Sequence, residues 1–189
     1  TNNNKDIKDL RIVSSVVWGK LYVSEILKNN PFPDHMRIHE DQMKIHHLYK
    51  DAETIFYINL PLYYYKKSDN SLIRVGWNPD RLVMLDCYED RINMTLHLDG
   101  EKKQIQDIAN HIAKRYMIAI IRNYELVEWK MESKAEKKKI KKDLQKRMKK
   151  GLKYPGVTYR TKMKLVFVIF SLFPDICVFG DYLYKKIKR

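Results

Sequence analysis

The spacing of apolar residues in this chain changes from helical to extended and back, and the changes predict its elements. Residues 14–27, SSVVWGKLYVSEIL, are apolar and aromatic with Gly19 near the middle, which predicts a buried turn feeding a short helix. The two prolines of KNNPFP then enforce a loop. Residues 40–50 contain neither Gly nor Pro, and Asp41, Ile45 and Leu48 fall on one face at i, i+4 and i+7, the repeat of a helix with Asp41 pointing inward near its start. The β-branched and aromatic runs TIFYIN and LYYYK follow, bent at Leu60 and Pro61, and predict extended segments closed by the polar loop KKSDNS.

The second half is helical in pattern. Asn78, Pro79 and Asp80 make a helix start, with a capping side chain, Pro at the first helical position and an acidic first turn. The helix should run to about Leu98 with Leu85, Tyr88, Ile92 and Leu96 inward. No Gly or Pro occurs from 101 to 150, and Ile105, Ile108, Ile112, Tyr116 and Ile120 continue the stripe, predicting two long helices broken near Ser133. Residues 151–156 read as a connector, followed by the apolar LVFVIFSLF and Pro174, and no internal repeat is present.

With 189 residues, 44% of them hydrophobic, the chain has the material for a folded core. It opens on Thr, and TNNNKDIKD lacks the apolar core and cleavage site of a secretory signal, so the sequence is read as a trimmed piece. Cys87 and Cys177 lie far apart without metal-type spacing, which points to a reducing, cytoplasmic setting. The net charge of +14 is unevenly placed: residues 1–131 hold 19 Lys and Arg against 18 Asp and Glu, and residues 132–189 hold 18 against 5. The C-terminal third therefore carries +13 and needs an acidic partner or water.

Two chemistries compete in the stretch MRIHEDQMKIHH. His35, His39, His46 and His47 are close in sequence, but a zincin helix needs His, Glu, two spacers and His, and the residue four after His39 is Met43. His46 and His47 point about 100° apart on a helix. Exposed helix histidines are the better account, and no metal ligand is assigned. Proton transfer needs only one rigidly held carboxylate, and Asp41 fits if its helix is packed. An acidic first turn that complements the helix dipole explains the same pair on spacing alone.

The wider pattern favours proton transfer at Asp41. Trp18, Lys20, Leu21 and Tyr22, then Phe32 and Pro33, Glu40 and Asp41, an extended segment, Pro61 to Tyr65 with Lys66, and Ser71 keep an order and spacing that resemble the second half of glycosyltransferase family 2 catalytic domains, the inverting GT-A type. The resemblance spans residues 14–91 and implies an α+β, predominantly helical fold: the acceptor-side half of a GT-A domain followed by long helices. It implies that Asp41 is the general base toward an acceptor hydroxyl and Glu40 its support, while Trp18, Tyr64 and Tyr65 line the acceptor cleft. It further implies that Lys66, Ser71 and Arg74 close over the diphosphate of a nucleotide-sugar; Lys66 stands where the family commonly has Arg and loses its bidentate geometry. The family uses a divalent cation, Mn or Mg, held by an Asp-x-Asp motif in an upstream nucleotide-binding half. Neither the motif nor a βαβ pattern precedes Trp18, so that half was removed, sits on another chain or was lost. The implied activity is cytoplasmic sugar transfer from a nucleotide-sugar to a glycan acceptor in surface polysaccharide biosynthesis. A catalytically incomplete acceptor-binding or scaffold subunit is the alternative.

In SKAEKKKIKKDLQKRMKK ten of eighteen residues are basic, while Ile140, Leu144 and Met148 recur every four residues. This predicts a basic helix with an apolar seam, suited to an anionic membrane surface at the inner face of the cell membrane. The next apolar stretch, interrupted by Pro174, Asp175 and Asp181, is too broken for a span and predicts an interfacial or partner-covered hairpin. No zinc finger, helix-turn-helix or Gly-aromatic RNA signature accompanies the charge, so a nucleic-acid-binding module is the remote reading. The expected division is 1–98 for the catalytic part, 99–150 for a helical extension and 151–189 for a membrane-surface segment.

Overall fold

The computed structural model describes residues 15–33, 39–58, 60–64, 66 and 77–187, and the chain forms two compact units, Thr1–Val75 and Gly76–Arg189. The first unit contains α1 (Ser24–Asn29) and α2 (Glu40–Asp51). Asn30 is buried after α1 and joins the two helices: its side-chain amide donates to Ile26 O at 3.0 Å and to Asp51 Oδ2 at 2.7 Å. Ile45 and Leu48 of α2 are almost fully buried, as their spacing predicts.

The second unit is a helical stack that begins with a 3-10 turn, Pro79–Leu82. The turn leads into α3 (Val83–Leu96), followed by α4 (Lys102–Lys130), α5 (Lys134–Leu152), α6 (Thr161–Leu172) and α7 (Pro174–Ile187). The start follows from the sequence, since the Asn78 side chain accepts from Asp80 N at 2.9 Å and Pro79 occupies the first position, where its missing N–H costs nothing. Ser133 ends the 101–150 run as expected and caps α5 through Glu136 N at 3.4 Å. Each helix packs on its successor, around a core of Leu85, Ile92, Tyr116, Met117, Ile120, Leu144 and Phe167. Each such side chain contributes on the order of 2 kcal/mol by leaving water.

Two polar networks cross this stack. The Glu89 carboxylate on α3 accepts from the Tyr116 hydroxyl at 2.5 Å, Lys150 Nζ at 2.5 Å and Arg147 Nη1 at 3.3 Å, joining α3, α4 and α5. Arg147 also pairs with Asp86 at 2.7 Å and Asp143 at 2.9 Å. Asp175 at the start of α7 accepts from Lys141 at 2.5 Å and the Tyr124 hydroxyl at 3.1 Å, and Lys141 also pairs with Glu128.

Five expectations are corrected. The fold is predominantly helical, and among the described residues no strand forms: 54–58 and 60–64 take no regular structure and have no ladder partner, and β-propensity needs one. The helix after Asn78 belongs with those that follow, not with residues 1–75, because α3 packs on α4; the division falls at 75/76 rather than at 98/99. Gly151 is no connector but the penultimate residue of α5, buried, where an added Cβ would overlap Met117 Sδ and come within 3.1 Å of Tyr116. The seam of α5 is not free for a membrane: Leu144 and Met148 are fully buried and Ile140 packs against the same core. Ile108 is exposed, since the inward stripe of α4 runs through Ala109, Ala113, Tyr116, Met117 and Ile120 instead.

Candidate functional site

The site implied by the sequence lies in the first unit, where the loop 15–23 and the start of α2 meet. Gly19 has φ +70°, a left-handed conformation that suits glycine, and the Tyr63 ring lies where its side chain would project. This lets Trp18 turn its indole onto Tyr63, with ring centroids 5.0 Å apart and planes 22° from parallel. The loop is braced by Lys20 Nζ donating to Val16 O at 2.5 Å and by the Tyr22 hydroxyl donating to Val17 O at 3.0 Å. Burial, with Tyr49 adding to it, pushes the Tyr22 phenol up to about 12.

α2 begins abruptly. His39 adopts φ 66°, a left-handed conformation costing a non-glycine residue on the order of 1 kcal/mol, and no side chain caps the helix from that position. Asp41 instead folds its carboxylate back, Oδ1 accepting from Gln42 N at 2.7 Å. The Gln42 side chain donates to Ser15 O and so ties the helix start to the loop. Burial raises the Asp41 carboxyl above its ordinary value, and the Glu40 charge adds to this; the Gln42 amide and His39 work against it without cancelling it. Burial depresses Lys20, which the Asp41 charge partly offsets, so the two groups feel one another's field.

The structure brings Trp18, Lys20, Asp41 and Gln42 into one region of this unit, with Tyr63 against the loop. Glu40, beside Asp41, is half-buried. Tyr64 is 88% exposed and Lys66 is exposed, neither enclosed in a cleft of the described residues. Tyr65, Ser71 and Arg74 lie outside the described residues. Tyr63 is half exposed and provides the stacking surface for Trp18. His46 and His47 place their ring centroids 4.3 Å apart at 38°, with His46 buried, so His46 is not the exposed helix histidine expected.

The donor set at Asp41 does not fit a divalent cation: one carboxylate oxygen is held by an amide, and the neighbouring ammonium of Lys20 is repelled by a metal. What the arrangement suits is acceptance of one proton by a partly desolvated carboxylate beside an aromatic surface. No known protein-family model, curated protein or solved structure matches the chain.

Proposed function

We propose that the chain is the acceptor side of an inverting family 2 glycosyltransferase of the GT-A type, with Asp41 as its general base. The observation that carries this reading is the half-buried Asp41 carboxylate at an abrupt helix start, its basicity raised by burial and its geometry fixed by Gln42. An acceptor hydroxyl at its second oxygen loses its proton to Asp41 as the hydroxyl oxygen bonds to the anomeric carbon of the donor sugar. The bond from that carbon to the nucleotide diphosphate breaks on the opposite face, and the electron pair leaves with the phosphate, so configuration inverts. The stacked pair Trp18–Tyr63 offers an apolar platform of the kind sugar rings pack on. No step runs through a metal, whose family motif the chain lacks.

The runs 54–58 and 60–64 favour an enzyme completed elsewhere. Ile55, Phe56, Ile58, Leu60 and Leu62 are all exposed on backbone without a ladder. A sheet edge from a nucleotide-binding half would pair that backbone and cover those side chains, giving the α+β arrangement. Burial of Cys87 and the free thiol of Cys177 suit the reducing cytoplasm, where nucleotide-sugars are used. In the enzyme assembled with its donor half, Asp41→Asn should lower turnover about 10²–10⁴-fold without lowering the melting temperature, and Glu40→Gln should be milder. Near-normal turnover of Asp41→Asn removes Asp41 from the mechanism and favours an acceptor-binding subunit without catalysis.

A further inference from the structure

α6 and α7 carry more apolar surface than their packing uses. Phe167 and Phe170 of α6 and Val178 of α7 are buried, yet Leu165, Ile169, Leu172, Phe173, Ile176 and Phe179 are exposed. Leu165, Ile169 and Leu172 recur at four and three residues along α6, and Phe173, Ile176 and Phe179 recur at three into α7; the two helices bend by 109° at the break between them. Among the described residues no helix is long and apolar enough to cross a membrane by itself.

The surroundings of this face identify what suits it. Lys162 lies one turn before Leu165 and Lys186 one turn beyond Tyr182, both exposed, so basic side chains stand at each end of the stripe. At its α7 end Tyr182 packs on Trp129, with centroids 4.9 Å apart, and faces Phe179 at 6.5 Å. All three residues are 43–54% exposed, and the amphipathic Trp129 and Tyr182 beside cations are of the kind that settles at the level of lipid headgroups. Of the two acids on α7, Asp175 is engaged by Lys141 and Tyr124, and Asp181 is half-buried. In the same unit α5 presents Lys138, Lys142, Lys146 and Lys149 to solvent, within a segment of net charge +13.

We propose that the outer face of α6 and α7 docks in the plane of an anionic lipid bilayer, its apolar residues entering the headgroup boundary while the lysines meet acidic headgroups. A second copy of the chain fits poorly on this face, since it would bring +13 against +13. The inference stands apart from the transfer reaction, because it uses none of the residues placed near Asp41.

The test is co-sedimentation of the full chain with vesicles of phosphatidylglycerol and phosphatidylcholine against vesicles of phosphatidylcholine alone. Binding should favour the acidic vesicles and weaken without vanishing in high salt, because the apolar contribution is not screened. Leu165→Glu with Ile176→Glu should reduce it about tenfold or more, and Lys162→Glu with Lys186→Glu should abolish the preference for acidic lipid. Both pairs are solvent-exposed, and melting temperatures within a few degrees of the parent show that the fold is kept; Leu165→Ser with Ile176→Ser replaces the first pair if it is not. Undiminished pelleting of the apolar variants overturns the proposal, as does binding to DNA or RNA without binding to vesicles. A lipid-free dimer dissolved by the same variants assigns the face to a second copy and overturns it too.

Discussion

Under the base role proposed for Asp41, chemistry and stability make opposite demands on it. Burial holds its folded value above the ordinary 3.8, which strengthens it as a base but makes its ionised form harder to keep than in the unfolded chain. A carboxyl shifted this way subtracts stability in full above its folded value and none at pH below 3.8. Asp41→Asn should therefore melt slightly higher than the parent at neutral pH and lose that advantage in acid, opposite to its effect on turnover. Glu89 behaves in the reverse sense. Burial works to raise it, but the hydrogen bonds of Lys150 and Tyr116 and the charges of Lys150 and Arg147 outweigh burial and hold it below 4.5. Its stabilisation is full above 4.5 and is lost as pH falls through the lower folded value. With its side chain only 16% exposed, Glu89→Gln should cost about 1–3 kcal/mol at neutral pH, and denaturant unfolding in acid should show that difference shrinking.

At the scale of elements, Gly151 decides how closely α4 and α5 approach. Alanine favours helix by up to about 1 kcal/mol, but here its methyl would press on Met117 and Tyr116, both fully buried. Gly151→Ala should therefore destabilise by about 1–2 kcal/mol, and a denaturation midpoint above the parent's would show that the core yields. The same residue explains what could be read from the chain. Asn78 with Pro79 and the break at Ser133 were legible because capping is local, as was the helix opened by Glu40 and Asp41. Gly151 resembled a connector because the sequence does not say which side chains press on it from another helix. The α5 seam was legible as a face, but its occupant, the helical core rather than lipid, depends on long-range packing. TIFYIN and LYYYK have strand composition without a neighbouring strand among the described residues, and the platform Trp18–Tyr63 joins residues too distant in sequence for any spacing rule.

On the scale of the whole molecule, the division at 75/76 separates the region of Asp41 from the main helical core. Every residue of the main helical core follows Trp77 or is Trp77 itself, so a fragment of residues 76–189 holds all it needs to fold. It should melt in one cooperative transition by circular dichroism, and a gradual, non-cooperative loss of helix would show that the core depends on the first unit. Within that unit each helix packs on the next along the chain. This order of packing bears on biosynthesis. Domains built from such local contacts fold in about microseconds to milliseconds, whereas a ribosome adds only about 5–20 residues per second. Each helix therefore has time to settle on its predecessor before the next is complete. The lysine-rich α5 need not linger as a bare polycation beside ribosomal RNA, since its apolar side is claimed by α4 almost as soon as it leaves the exit tunnel.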